Sequence, residues 1–360
     1  MVIKAPQVKH ILKNPTKAAE LANLIYITEN KLTIKRHKHG RGFYYTRNGE
    51  KIVDRESIKR FKSLVIPPAW KDVRITHLKN GHLQVVGRDE KNRKQYRYHP
   101  SWSEIKNKTK FFKMIAFGNA LPKIRATVEK DLKLKTMTKR KCLALVIQLM
   151  EETHIRIGNE YYAQKNKSYG LSTMRTKHLD ILEHEIQFSF VGKKGKKHEV
   201  VVKDKKLRNL VMQCKEIPGW ELFQYYDENG NHHSIDSGMV NDYIHEVSGD
   251  LFSAKDFRTW AASKLFFEYL YEVGLPKTKK EMKSNILKGY DTAAAGLGNT
   301  RSVCRSYYVH PILPEKYEDG SIEFYLKKLN HEQDIEEKPY FSPTESVLLQ
   351  MLSQYQIILE

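Results

Sequence analysis

Near residue 100 the hydrophobic pattern of this chain changes period, and that change bounds the folds open to it. Before it, short runs such as RGFYYTR, KIVD, DVRITHL and GHLQVVGRD read as strands, with turn signals at Asn48-Gly49 and Asn80-Gly81 and a break at Pro67-Pro68. From about Ser103 helical spacing takes over. Leu143, Val146, Ile147, Met150 and His154 mark one face of a segment running from about Lys139 towards Arg156. A sheet element then interrupts the helices: Ile186, Phe188 and Phe190 alternate with polar residues, GKKGKK follows and HEVVVKD returns, a β-hairpin with a basic tip at Gly192 to Lys197. Helical patterning resumes over 205–214, 240–247 and 260–273. Ser342-Pro343-Thr344-Glu345 is a capping box with proline at the first helical position, ahead of Val347, Leu348, Met351, Leu352 and Tyr355. The stretch from Glu332 to Glu337 reads as a solvated acidic loop, and no internal repeat is present. The expected class is α+β: a β-rich domain over 1–100, a mostly helical domain with a β-hairpin over 101–311, and an extension over 312–360 whose terminal helix packs on the helical domain.

Charge divides along the same chain. Residues 1–100 hold 23 basic and 8 acidic side chains and residues 101–200 hold 21 and 10, which leaves +26 on the first two hundred; the remaining 160 carry 19 and 24, or −5. A basic tail would be a local run, whereas this excess runs through segments that also show folding periodicity. The implied partner is a polyanion gripped by a folded surface. Tyr44, Tyr45, Tyr96, Tyr98 and Trp102 lie among Arg and Lys, a mixture that stacks on bases or sugars while neutralising phosphates, or packs within a sheet.

Other chemistries lack their residues. No GxxxxGK[ST] is present, so neither a nucleotide cofactor nor an ATP-driven motor is expected, and there is no HExxH or paired Cys/His ligand set. Cys142, Cys214 and Cys304 form no CxxC pair. His232, His233 and Asp236 can ligate a metal, but in an Asn- and Gly-rich loop they read more readily as solvent-facing. No apolar run approaches a membrane span or a secretory signal, so the expectation is a cytoplasmic protein, nucleoid-associated in a bacterium, with no membrane, no metal and no cofactor.

Four stretches carry a resemblance: HIRIGNEYY at 154–162, SFVGKKGKKHEV at 189–200, AKDFRTWAA at 254–262 and GLGNTRSVCRSYYVHP at 296–311. Together they resemble the active-site segments of the type IB DNA topoisomerases, in the short bacterial and poxvirus branch. The 37 positions from Arg156 to Lys193 and the 9 from Asn299 to Tyr308 agree with the family's intervals. RGFYYTRNGE at 41–50, IPPAW at 66–70 and GRDEKNRKQYRYHP at 87–100 resemble the bacterial members, so the likeness covers about residues 30 to 311. It implies catalytic roles for Arg156, Lys193, Arg258, Asn299 and Tyr308, and DNA contacts for Gln95, Tyr96, Tyr98 and Tyr162. Where the poxvirus branch has a histidine this chain has Asn299, so a neutral amide takes that place. Lys255 stands where tyrosine recombinases place the histidine of their HxxR box, and reads as a further cation near the phosphate.

These residue types suit reversible phosphodiester cleavage without a metal. The reaction needs a nucleophile whose phosphoryl link stores the bond, cations around a pentacoordinate phosphorus, and a proton donor for the departing oxygen. A phenol of pKa about 10 is a far better leaving group than an alkyl alcohol, so Tyr308 suits the first role. Guanidinium forks at Arg156 and Arg258 suit the second. A lysine on a hairpin tip suits the third, with Lys193 the match and Lys194, Lys196 and Lys197 close by. The resemblance implies a monomer that closes as a clamp on double-stranded DNA, nicks one strand through a 3′-phosphotyrosyl link, lets it swivel and reseals it, without ATP or metal. A tyrosine recombinase or integrase shares the chemistry, and a non-catalytic DNA-binding clamp shares the charge.

Overall fold

The computed structural model describes residues 2–3, 11, 14–249, 251–331, 335 and 337–358, and contacts divide the chain into two units, Met1–Lys113 with Gln356–Glu360, and Met114–Tyr355. Of the expected acidic loop, 332–334 and 336 lie outside the described residues. The architecture is α+β, as the change of period predicts.

The first unit is built on a six-stranded antiparallel sheet. Its strands are β1 (Ile34–His39), β2 (Gly42–Arg47), β3 (Glu50–Lys51), β4 (Lys71–Ile75), β5 (Leu83–Arg88) and β6 (Lys94–Tyr98), in the spatial order β3-β2-β1-β4-β5-β6. Asn48 and Gly49, at φ 51° and 90°, make the tight left-handed turn between β2 and β3 that the Asn-Gly signal predicts. Helix α1 (Pro15–Leu21) precedes the sheet, and α2 (Arg55–Ser63), capped by the Asp54 carboxylate on Ser57 N at 2.8 Å, lays Phe61 on one face with Ile34, Tyr45, Val73, Ile75 and Val85. Ile27, Leu32, Leu83 and Val86 cover another cluster, so β5 is buried on both sides, which accounts for its unbroken apolar run. Arg36 donates to the carbonyls of Ile66 (3.2 Å), Pro67 (3.1 Å) and Trp70 (2.7 Å) and so holds the Pro-Pro turn.

Two strands, β1 and β6, escape a reading by hydrophobic alternation because IKRHKH and KQYRY are almost wholly polar. The β1 backbone is paired along its length by β2 and at Ile34 and Lys35 by β4, and β6 is paired by β5. The aromatic residues divide too: Tyr45 packs on Phe61 and Trp102 is buried edge-on to His82, whereas Tyr96 and Tyr98 face solvent.

The second unit is mostly helical. It begins within α3 (Pro100–Leu132) and centres on α4 (Lys139–Thr153). Sequence spacing predicts one apolar face on α4, but Cys142, Ala144, Leu145 and Leu149 on its other sides are buried as well, and even Lys141 is enclosed, its ammonium donating to Gln213 at 3.3 Å. Short α5 (Glu160–Asn166) leads to a three-stranded sheet of β7 (Leu179–Ile181), β8 (Ile186–Val191) and β9 (Lys197–Val202). Strands β8 and β9 form the expected hairpin, in the register Phe190 to His198 and Val191 to Lys197. Then follow α6 (Lys205–Lys215), a small hairpin of β10 (Gln224–Tyr226) and β11 (His232–Ser234), and α7 (Ser237–Ser248). In that hairpin His233 bonds Asp227 at 2.9 Å and His232 bonds Gln224 at 3.0 Å, while Asp236 caps α7 through Met239 N. Helices α8 (Ala254–Val273) and α9 (Lys279–Leu297) pack along one another, followed by α10 (Arg301–Tyr307), α11 (Ile312–Glu318), α12 (Glu323–Asn330) and α13 (Pro343–Leu352). The capping box of α13 forms, with Ser342 N on Glu345 at 3.1 Å and Glu345 N on Ser342 Oγ at 3.2 Å. Glu345 also accepts from Trp260 Nε1 at 2.9 Å and from Arg125 at 2.8 Å, and Arg125 reaches Glu151 as well, tying α3, α4, α8 and α13 together. Among the described residues no helix is long and apolar enough to cross a membrane.

Candidate active site

Helix α4 ends where His154 turns left-handed, at φ 54°, and the chain leaves the helix axis two residues before Arg156. The next stretch is pinned from behind. Leu171 N donates to the Arg156 carbonyl at 2.9 Å and Ser172 N to that of Ile157 at 2.7 Å. Gly170 makes this approach possible: a Cβ there would overlap the Arg156 carbonyl oxygen and lie 2.5 Å from Gly158 N. The half-buried Arg156 side chain then donates through Nη2 to Asn299 Oδ1 in a short hydrogen bond.

Asn299 owes its place to the end of α9. Gly298 turns left-handed at φ 61°, donating to Ala295 O at 3.0 Å, and Asn299 N reaches back to Ala294 O at 2.9 Å, a Schellman-type stop. Thr300 then caps α10, and Arg301 holds that helix to Asp291 through Nε at 2.6 Å and Nη2 at 2.5 Å. Tyr308 closes α10. Its amide bonds Cys304 O at 3.0 Å, its carbonyl accepts from Ser263 Oγ at 3.3 Å, and the same Ser263 accepts from His310 N at 2.9 Å. The Tyr308 ring lies against Arg258, whose guanidinium carbon is 5.7 Å from the ring centroid. Neighbouring Tyr307 is 54% exposed.

Arg258 is only 4% exposed. Nη1 donates to the His154 carbonyl in a short bond and Nη2 to the Leu297 carbonyl at 2.8 Å, so two helix ends aim the guanidinium. Burial first, and Arg156 second, pull it down to about 10, against the attraction of Tyr308; it remains charged at neutral pH. The same crowding acts on His154, which burial, Arg258 and Lys264 lower to about 4, leaving it neutral. Burial raises the Cys304 thiol, and Asn299, Arg258 and Arg156 draw it back. At this site Arg258 Nε and Asn299 Nδ2 make no well-formed hydrogen bond, although the Tyr308 hydroxyl draws on Arg258 and the Cys304 thiol on Asn299. An unmade buried bond costs about 1–3 kcal/mol, so such a pair in one site calls for an acceptor from outside.

Beside them lies a cavity of about 190 Å³ lined by Arg156, Arg258, Lys193, Lys196, Lys197 and His198 among others. Lys193 sits in the short turn Lys193–Gly195 at the hairpin tip and is exposed. Asn299 and Tyr308 flank this cavity through their contacts with Arg156 and Arg258. The five residues singled out by sequence are thus linked within one unit. Lys255 is exposed on the first turn of α8 and does not line the cavity. Tyr162, 46% exposed on α5, meets Tyr161 edge-on at 5.5 Å. In the first unit, Tyr96 and Tyr98 are exposed and stacked at 6.0 Å on β6, and Gln95 donates to Asp89 at 2.9 Å.

Sequence reading missed the two carbonyls that hold Arg258, the Ser263 bridge behind Tyr308, and His198. Only the Gly-Asn pair after a helical run, a common C-cap signal, hinted at the turn that carries Asn299.

Comparison with known proteins matches residues 99–334 to the family model described as the catalytic core of eukaryotic DNA topoisomerase I, and residues 42–89 to that of the bacterial DNA topoisomerase IB N-terminal domain. The chain is 32% identical over 306 residues to a DNA topoisomerase 1B of Acanthamoeba polyphaga mimivirus, covering 82% of this chain and 90% of that protein. It is 27% identical over 244 residues to the DNA topoisomerase I of monkeypox virus and to the DNA topoisomerase 1B of vaccinia virus, covering 66% of this chain and 73% of each.

Proposed function

The chain belongs to the type IB DNA topoisomerases, a family of isomerases, and on that premise we propose that it relaxes supercoiled duplex DNA by metal- and ATP-independent nicking of one strand at Tyr308. The observation that carries this reading is the pair of buried donors, Arg258 Nε and Asn299 Nδ2, that make no well-formed hydrogen bond beside Arg156 and the Tyr308 ring. The non-bridging oxygens of a phosphodiester are acceptors of the right charge for them. Tyr308 gives up its phenolic proton to solvent water and Oη attacks phosphorus; the Oη–P bond forms, the P–O5′ bond breaks with its electron pair on O5′, and Lys193 hands its proton to O5′ and recovers one from solvent. Arg156, Arg258 and Asn299 hold the oxygens that gain charge on the way. The 3′-phosphate stays on the tyrosine, torsion in the DNA drives rotation of the free end, and the 5′-hydroxyl reverses the attack. One phosphodiester is exchanged for another, so no fuel is consumed, and the cations that the step needs are side chains.

The helical unit carries this chemistry, and the strand-rich unit adds phosphate contacts from half-buried Gln95 and the exposed Tyr96 and Tyr98, with Tyr162 as a further contact. Lys255, on the surface of α8, supports long-range attraction of the DNA rather than the step itself. All five groups of the site come from one chain, which suits action as a monomer.

The test uses supercoiled plasmid in EDTA without ATP, with one set of samples stopped in SDS. Wild type relaxes the plasmid and is trapped on it, whereas Tyr308→Phe does neither. Relaxation by the Phe variant removes the nucleophile assignment, and relaxation of a plasmid without any recombination sequence separates this activity from site-specific strand exchange.

A further inference from the structure

Lys193 poses a mechanical question, because an exposed hairpin tip is a poor place from which to aim a proton donor. The tip's own bonds, Gly192 N to Lys196 O at 2.7 Å and Gly195 N to Gly192 O at 3.1 Å, shape the turn but tie it to nothing else. His198 supplies such a tie. It pairs with Phe190 across the hairpin and stacks on that ring, with centroids 5.1 Å apart and planes 11° from parallel. Its imidazole is hemmed in by two glycines. A Cβ on Gly192 would lie 2.7 Å from His198 Cδ2 and Nε2, and a Cβ on Gly298 would overlap Cε1 and lie 3.0 Å from Nδ1. One of those glycines immediately precedes Lys193, and the other immediately precedes Asn299.

We propose that His198 is a positioning residue: its imidazole is keyed between Gly192 and Gly298 and sets the distance from the Lys193 hairpin to the Asn299–Arg156 pair. The inference rests on the proposed role of Lys193 as the acid. Each part of the key has a reason. A ring is stiff where an aliphatic chain is not, stacking on buried Phe190 fixes its plane, and glycine on both sides lets the two backbones close on it. Burial, followed by Arg156, Lys196 and Arg258, lowers the imidazole below its ordinary value, so the key is neutral and adds no charge to the anion site.

The experiment measures single-turnover cleavage on two duplexes that differ in one atom, with oxygen or sulfur at the 5′-bridging position. A thiolate departs without a proton, so only defects in proton delivery are relieved by sulfur. His198→Ala is expected to slow the oxygen substrate about 10- to 100-fold, the scale of a misplaced reacting group, and to recover on sulfur as Lys193→Ala does. If Lys193→Ala does not recover on sulfur, the acid role is lost and the key with it. If Lys193→Ala recovers while His198→Ala stays slow on both substrates, the key alone is wrong. A second variant guards against simple misfolding. Gly192 has φ −96°, open to alanine, so Gly192→Ala changes only the collision with the ring. It should slow the oxygen substrate alone, and Gly192→Ala with His198→Ala together should be no slower than His198→Ala. Multiplicative slowing in the double variant overturns the keyed contact.

Discussion

Removing Arg258 separates a phosphate clamp from a structural strut, because the residue has the marks of both. Its two terminal nitrogens hold the carbonyls of His154 and Leu297, and its Nε is buried without a well-formed hydrogen bond. Arg258→Ala deprives two backbone oxygens of a charged donor, a loss of about 3 kcal/mol at some 1.5 kcal/mol each. It also removes a cation that burial and Arg156 disfavour, holding it well below the ordinary arginine value at about 10, a strain of the same order. The terms oppose one another, so folding stability should move by no more than about 2 kcal/mol. Transition-state stabilisation has no such offset: losing one donor to a developing oxyanion costs about 10²- to 10³-fold, or about 3–4 kcal/mol. The assay is single-turnover cleavage at saturating enzyme, beside thermal melting and equilibrium binding of an uncleaved duplex. Near-normal melting and binding with cleavage slowed about 100- to 1000-fold is the expected pattern. Arg258→Lys should fall between, since an ammonium keeps the charge but lacks the planar fork that serves two carbonyls and still leaves Nε free. Cleavage within tenfold of wild type, or a fall in cleavage that tracks a large fall in melting temperature, refutes the reasoning.

Glu345 should govern acid stability. Burial pushes its carboxyl up, but hydrogen bonds and charge from Arg125, with help from Trp260, outweigh this and hold it at about 2. A depressed carboxylate stabilises the fold above its unfolded pKa of about 4.3 and loses that contribution as pH falls towards the folded value, so about 3 kcal/mol at pH 7 is more than half gone by about pH 3. Buried Glu151, raised by burial, works in the opposite sense, so the comparison is Glu345→Gln against wild type in denaturant melts at about pH 7 and about pH 3. The gap should narrow in acid, and an equal gap at both values contradicts the assignment. Gly170→Ala drives a methyl group into the Arg156 carbonyl and should slow cleavage at least tenfold by displacing that arginine. Unchanged single-turnover cleavage in that variant shows that the backbone behind Arg156 can yield.

The legible parts of the fold were those with a local signature. The hairpin carrying Lys193 shows period-2 alternation on both sides of a basic turn, α13 announces itself by Ser342 and Glu345, and the Asn48-Gly49 turn forms where its residues demand positive φ. Strands β1 and β6 were not legible, since KRHK and KQYR look like solvent until their backbones are claimed by β2 and β5. The one-faced reading of α4 fell short for a related reason: a helix at the centre of a bundle is packed by neighbours on every side, and spacing along one chain registers only its strongest face.

The candidate site divides along the same line. The order and intervals of Arg156, Lys193, Arg258, Asn299 and Tyr308 are written in the chain, because the chemistry prescribes residue types and each segment carries its own motif. Which of their atoms are held and which are left open was decided only by the tertiary structure. Arg258 is buried because residues 154 and 297 bring their carbonyls to it, and His198 is confined because residues 192 and 298 come together around its ring. Those partners lie as much as 100 or more positions apart, and contacts over such distances are set by packing of whole helices and hairpins, which no local pattern encodes.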